Sequence, residues 1–326
     1  MRILTLLVIS LLCTYQPSSG QKSPADSESN AVLLREVFDK VKQYSVFRKQ
    51  LNWKELTEKL FADQSGRLTA PEFKEKVRLL FTTIGDNHGG LVYQGERLGM
   101  DRSWIKTLRL PPHQPEKVEL TTVMLEDGYG YMLLPPEARY DRETCQRYQD
   151  ALCSLGALKG LIIDLRLHEG GSVYPLFSGL NQVYGAKTFG YNMGLDGTVY
   201  KKWTVQDGSF GRNLIRNRCA LMKGMKIVVL TSQITASAGE MMAVGLKGRP
   251  KTLFIGEPTA GFTTMTMAFK LGEHTLSIAA SIIADRNGVI YRDKVYPDLT
   301  MVDGDNFQNL SADTKVVAAL NWMKGN

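Results

Sequence analysis

Apolar residues recur at three- and four-residue spacing through residues 30 to 84, and that rhythm predicts three amphipathic helices. Val32, Leu33, Val37, Phe38 and Val41 mark the first, Trp53 to Phe61 the second, and Phe73 to Ile84, behind Thr69-Ala70-Pro71, the third. Between Gln94 and Lys117 the pattern dissolves into Gly, Arg, Pro and His, and Pro111-Pro112-His113-Gln114-Pro115 reads as a stiff connector. A domain boundary near 116 follows. Beyond it, Val118 to Leu125 and Tyr131 to Leu134 read as strands, Glu143 to Leu155 as a helix, and Gly160 to Leu165 as a strand buried on both faces. Tyr174 to Tyr184 reads as a further helix, and Lys226 to Thr231 as a second buried strand feeding a helix from Ser237 to Leu246. Asp196-Gly197, Gly272-Glu273 and Asn287-Gly288 each sit between alternating segments and predict hairpins. The sum is an α/β core carrying antiparallel ribbons, without a repeat of solenoid period.

Composition sets limits on this picture. The 326 residues are 43% hydrophobic and 22% charged, enough for a real core and unlike a disordered or collagen-like chain. Forty Lys and Arg against 33 Asp and Glu leave a formal charge of +7, yet no cationic run forms, so no nucleic-acid partner is expected. Residues 1–20 stand apart: Arg2, an apolar run from Ile3 to Cys13, and Ser18-Ser19-Gly20 before Gln21 have the pattern of a secretory signal peptide. That run is shorter than the roughly 20 apolar residues a bilayer span needs, and no later segment reaches that length. A secreted or periplasmic mature protein without a membrane span is therefore expected. Cys13 follows Leu12 rather than a small residue, which argues against a lipid anchor. Cys145 and Cys153, eight apart in one helix, stand about 12 Å apart along its axis and cannot bridge each other. Pairing of one with Cys219 stays open, and buried free thiols are the simplest expectation.

Several chemistries fall away. His168-Glu169 opens like a zinc-protease helix, but Ser172 occupies the place of the second His, and the four histidines show no paired spacing, so no metal site is expected. Gly128-Tyr129-Gly130 lacks the third glycine of a dinucleotide fingerprint, and no glycine loop ends in Gly-Lys-Ser or Gly-Lys-Thr. Thr235 replaces the first glycine of an esterase-type elbow. No cofactor is implied.

Three segments retain chemistry. Lys226 to Glu240 runs from a buried strand through a polar turn into a helix, with Ser237 at the helix start, where free N–H groups favour negative charge. A nucleophile there has oxyanion donors at hand, and Ala236, Ala238 and Gly239 leave room for substrate; a plain helix cap has the same spacing. Gly160 to Gly171 ends a buried strand in Asp164-Leu165-Arg166 and then a glycine pair, whose N–H groups could form half of an oxyanion hole. Ile84 to Gly90 sets His88 among glycines and polar residues, available as a base.

In this order, with Gly256-Glu257-Pro258-Thr259-Ala260-Gly261 and Tyr296-Pro297-Asp298 after them, these segments resemble the S41 serine peptidases, the tail-specific or C-terminal processing protease family. The resemblance covers most of the mature chain. It implies a ClpP/crotonase-like α/β core (117–326), a helical arm with the His loop (21–95), a linker (96–116) too short for a PDZ domain, and peptide or protein substrates. Homo-oligomerisation is left open. By the same resemblance Ser237 is the nucleophile, and Ala238 with Gly170 or Gly171 holds the oxyanion. The family's Ser/Lys branch has a Lys where this chain has Phe262; the Asp86-Asn87-His88 loop is similar to the tricorn-core branch and makes His88 the general base. Asn87 and Tyr291 depart from that branch's Ser and Glu, so Asp293, or Asp285 on the preceding strand, is the candidate to orient the imidazole. An inactive binding module for an apolar ligand or peptide is the alternative, and a crotonase-like acyl-thioester enzyme a more distant one.

Overall fold

The structure, a computed structural model, describes residues 25–62, 67–204, 219 and 224–325. The signal-like segment 1–20, with Cys13, lies outside the described residues. Helices α1 (Ala25–Tyr44), α2 (Trp53–Phe61) and α3 (Ala70–Ile84) are the three expected amphipathic helices. Thr69 and Glu72 close a capping box at the start of α3, and Gly85, at φ 71°, ends it in the left-handed conformation that a residue without Cβ adopts at little cost. Val37, Phe38, Val41, Phe73, Val77, Leu80, Phe81 and Ile84 are buried together, whereas Val32 is exposed.

Strands β1 (Gly90–Tyr93), β2 (Glu96–Leu98), β3 (Thr121–Met124) and β4 (Tyr129–Leu133) precede α4 (Arg142–Ser154) and β5 (Gly160–Asp164). Then come the hairpin β6 (Thr188–Met193) and β7 (Val199–Thr204), β8 (Lys226–Thr231), α5 (Ala238–Leu246) and β9 (Thr252–Gly256). The chain closes with β10 (Thr264–Leu271), β11 (His274–Asp285), β12 (Ile290–Tyr291), β13 (Leu299–Thr300) and α6 (Thr314–Lys324).

Two sheets result. One runs β13-β9-β8-β5-β4-β3, parallel except for β3. Its central strands read as continuous apolar runs because both faces are covered. Leu161, Ile163, Ile227 and Val229 pack with Met241, Met242 and Val244 of α5, while Ile162, Val228 and Leu230 pack with Val316, Ala319 and Met323 of α6. The period-2 alternation of a strand thus feeds two cores at once. The other sheet is antiparallel, ordered β2-β1-β11-β6-β7, with β10 and β12 also paired to β11. The arm packs on it through Leu91, Tyr93, Leu276 and Ile278. All three expected hairpins are present.

Two expectations need correction. Tyr174 to Tyr184 is not one helix but a π turn, Pro175–Gly179, followed by a 3-10 turn, Asn181–Tyr184. The segment is buried all round, and a Cβ on Gly179 would lie 2.6 Å from the Cys145 carbonyl, so close packing on α4 overrides the helical pattern. Nor are all the thiols free: Cys153 pairs with Cys219, leaving Cys145 as a buried free thiol.

Candidate active site

Ser237 follows β8 of the parallel sheet, and Glu240, bonded to its main chain, also holds the turn that leads into β10 of the antiparallel sheet. After β8 the chain turns on hydrogen bonds to the segment beyond β5: Ser232 Oγ donates to the Arg166 carbonyl (2.6 Å), Thr235 Oγ1 to that of Leu165 (2.8 Å), and Ala236 N to that of His168 (2.9 Å). The turn delivers Ser237 to the start of α5 at φ 51° and ψ −110°, a conformation that costs a non-glycine residue about 1–3 kcal/mol. Glu240, one turn on and fully buried, holds it there: its Oε2 accepts from Ser237 N (2.9 Å) and Phe262 N (2.7 Å), its Oε1 from Gly261 N (2.8 Å) and the Thr259 hydroxyl. Burial pushes this carboxyl up to about 7, against the pull of those four donors.

Gly170 backs directly onto the serine, since a Cβ there would stand 3.1 Å from Ser237 Cβ. Gly170 and Gly171 take φ values of 122° and 106°, and a Cβ on Gly171 would collide with the Glu137 main chain. The Gly170 N–H donates to His168 Nδ1 (3.2 Å), while the N–H groups of Gly171 and Ala238 donate to no protein group among the described residues.

His88 arrives from the other sheet. Asp86 Oδ1 accepts from the N–H groups of His88 (3.0 Å) and Gly89 (2.6 Å), and its Oδ2 from Ala279 N on β11 (2.8 Å), so one buried carboxylate fastens the loop. Arg102 donates to the carbonyls of Asn87 (2.6 Å) and His88 (2.7 Å) and lies over the Phe262 ring at 4.6 Å. Asn87 Nδ2 donates to the Gly261 carbonyl (3.2 Å), and the rings of His88 and Phe262 are 5.3 Å apart. The 261–262 turn, bonded to Glu240 behind Ser237, therefore carries contacts to His88. Burial, then the charges of Arg102 and Arg97, hold the imidazole down to about 3, so it is neutral at ordinary pH.

The sequence-predicted acids lie elsewhere. Asp293 Oδ2 accepts from the Tyr296 hydroxyl (3.2 Å), and Asp285 from the N–H groups of Asn287 and Val289. Among the described residues neither is bonded to the imidazole; Thr264 Oγ1 is, 2.9 Å from Nδ1. Sequence reasoning missed Thr264, Glu240 and Arg102. Only Glu240 had a local signal, the Ser-x-x-Glu spacing of a capping box. Phe262, at the position of the Ser/Lys branch's cation, is buried with Ala236 and Ala260 beneath Trp104 and Ile105. No group of His, Cys, Asp and Glu among the described residues could hold a metal ion, and no described helix is long and apolar enough to cross a membrane.

The profile of Peptidase family S41 matches residues 129–301, just over half of the chain. A nisin-resistance protein of Lactococcus lactis subsp. lactis is 30% identical over 147 residues, which span 43% of this chain and 45% of that protein. Among solved structures, a lipoprotein from Streptococcus agalactiae superposes with a TM-score of 0.67 at 20% identity, covering 97% of this chain and 99% of that one. A photosystem II D1 C-terminal processing protease gives 0.58 at 16% identity, over 89% and 96% of the two chains. At these identities the likeness is one of fold.

Proposed function

Because the chain belongs to peptidase family S41, we propose that it hydrolyses peptide bonds through an acyl-enzyme, with Ser237 as nucleophile and His88 as general base. The observation that carries this reading is the Glu240 carboxylate, which binds both the main chain of Ser237 and the turn that touches His88. Ser237 Oγ attacks the scissile carbonyl carbon while its proton passes to the imidazole. The resulting oxyanion sits between the N–H of Ala238 at the helix start and that of a glycine at 170–171. Of the two, Gly171 has the free N–H. Collapse expels the amine, which takes the proton back, and water then releases the acyl group with His88 again as base. Phe262 cannot act as a base, which favours a Ser/His over a Ser/Lys arrangement.

The Cys153–Cys219 disulfide supports export to an oxidising compartment, in keeping with residues 1–20 as a signal peptide. Residues 21–95 would serve as an arm beside the 117–326 catalytic domain, with 96–116 between them. The test is labelling by a fluorophosphonate probe, located by peptide mass spectrometry. Labelling of Ser237 in the wild type and its loss in Ser237→Ala and His88→Ala is the expected result. One observation favours a second reading: among the described residues no carboxylate is bonded to the His88 ring, as expected of a binding module that has lost catalysis. Unlabelled, well-folded wild-type protein that binds an apolar ligand or peptide stoichiometrically would select that reading.

A further inference from the structure

The His88 ring has one polar side-chain partner among the described residues, the hydroxyl of Thr264 at 2.9 Å from Nδ1. We infer that Thr264 is a positioning residue: its hydroxyl oxygen accepts a hydrogen bond from Nδ1–H and so holds the imidazole in the tautomer whose Nε2 is bare, the form able to take the Ser237 proton. This rests on the reading of Ser237 and His88 as nucleophile and base.

A neutral imidazole carries one proton on either nitrogen, and the bond made by one nitrogen decides the state of the other. Were Nδ1 bare, Nε2 would carry the proton and could accept none. Each of the other groups near the ring is engaged with the main chain. Asp86 binds the N–H groups of His88, Gly89 and Ala279; Arg102 binds the carbonyls of Asn87 and His88; Arg97 binds that of Gly89. These three fix the loop, and Thr264 is left to fix the ring.

The placement is rigid on both sides. Thr264 opens β10 opposite Ile282 of β11, and Gly90, two residues after His88, pairs with Ser277 of the same strand. A β-branched side chain on a strand has few χ1 choices, which keeps the hydroxyl in place. The Gly261 and Phe262 N–H groups, bonded to Glu240, anchor the approach to β10. A hydroxyl differs from a carboxylate here: it orients the ring without adding charge to steady the imidazolium that forms during proton transfer.

The experiment compares Thr264→Val and Thr264→Ser in the full-length chain, read as the second-order rate of fluorophosphonate labelling at Ser237 across the neutral pH range, with a thermal melt for each protein. Thr264→Val keeps the branched shape and removes the hydroxyl; Thr264→Ala is a second hydroxyl-free variant should the first fail to fold. A fall of about tenfold or more in the hydroxyl-free variants is expected, a part of the roughly hundred- to ten-thousandfold that a positioned general base contributes, with recovery to near wild type in Thr264→Ser. Wild-type labelling rates without the hydroxyl would overturn the role of Thr264 and leave Ser237 and His88 in place. An equal loss in Thr264→Ser would overturn it too, since a hydroxyl that does not rescue is not the operative group. No labelling of wild type, or undiminished labelling of His88→Ala, would instead overturn the underlying reading.

Discussion

Glu240 Oε2 lies 2.9 Å from the main-chain nitrogen of Ser237, and this bond joins the nucleophile candidate to the opposite wall of the site. The same oxygen receives the N–H of Phe262 at 2.7 Å. A residue three positions into α5 thus sets both the strained backbone of Ser237 and the turn leading to Thr264.

Glu240→Gln should therefore be severe, although it keeps the side chain's size. Each of the four groups around the carboxylate is a donor, and the amide nitrogen of Gln would face at least one of them with a second donor. Hydrogen bonds to a charged group contribute about 1.5–3 kcal/mol each, so a loss of at least 2–3 kcal/mol is expected. Urea unfolding measures the stability and fluorophosphonate labelling the site. Unchanged values in both would mean that the carboxylate does not organise these loops.

The glycine pair makes a second prediction. Gly170→Ala adds a methyl 3.1 Å from Ser237 Cβ at a φ of 122°, which L residues avoid. The methyl should displace the adjoining Gly171 N–H, and labelling of Ser237 should fall by about a hundredfold, the scale of losing that oxyanion donor. Gly171→Ala meets the Glu137 main chain and should also destabilise the fold, by about 1–3 kcal/mol from backbone strain alone. A Gly170→Ala protein labelled at the wild-type rate would remove this loop from the site.

Acid should destabilise the protein through two buried histidines. Burial holds His88 down to about 3 and His168 down to about 4, against 6.5 for an ordinary imidazole. Between those values and 6.5 the unfolded chain binds protons that the folded one refuses, so the histidine contribution to stability falls as pH drops below 6.5. By about pH 5 each histidine should have removed about 2 kcal/mol relative to pH 7. Glu240, held up to about 7, works in the opposite sense, since on acidification the folded chain gains a proton that the unfolded one does not, and it offsets about 2 kcal/mol of that loss. Denaturant unfolding of wild type and His88→Asn at the two pH values isolates the histidine share, and the variant should lose about 2 kcal/mol less than wild type. An equal acid loss in that variant would assign the effect to other groups.

Sequence legibility followed the range of the interactions. Strands β5 and β8 were readable because burial on both faces leaves an uninterrupted apolar run, and α3 because its cap, proline and terminal glycine are local signals. Ser237, Gly170 and His88 stood out by their neighbours in the chain. Thr264 did not, because its bond to His88 spans 176 positions and arises only when β1 and β10 flank β11. Spacing excluded a Cys145–Cys153 bridge but could not choose which of the two pairs with Cys219, 66 positions beyond Cys153. Tyr174 to Tyr184 misled because a segment buried on every side keeps no polar face to betray its true turns.

Arg166 supplies the last prediction. Its guanidinium is fully buried and binds Asp164 (2.6 Å), Asp305 (2.5 Å) and Asp313 (2.8 Å), with Lys315 also on Asp305 (2.6 Å) and the Tyr131 hydroxyl on Asp164 (2.7 Å). Three carboxylates thus surround one guanidinium and one ammonium, and Arg166 lies just before the Gly170-Gly171 loop, with its carbonyl bonded to Ser232. Arg166→Met leaves Asp164 and Asp313 without a buried cation, and breaking such a network costs about 3–5 kcal/mol. Lys315→Met removes the minor cation and leaves all three carboxylates on Arg166, so its cost should be smaller. Urea unfolding of the two variants separates the cases. A greater loss for Lys315→Met would mean that the ammonium, and not the guanidinium, holds the 305–315 segment to the end of β5.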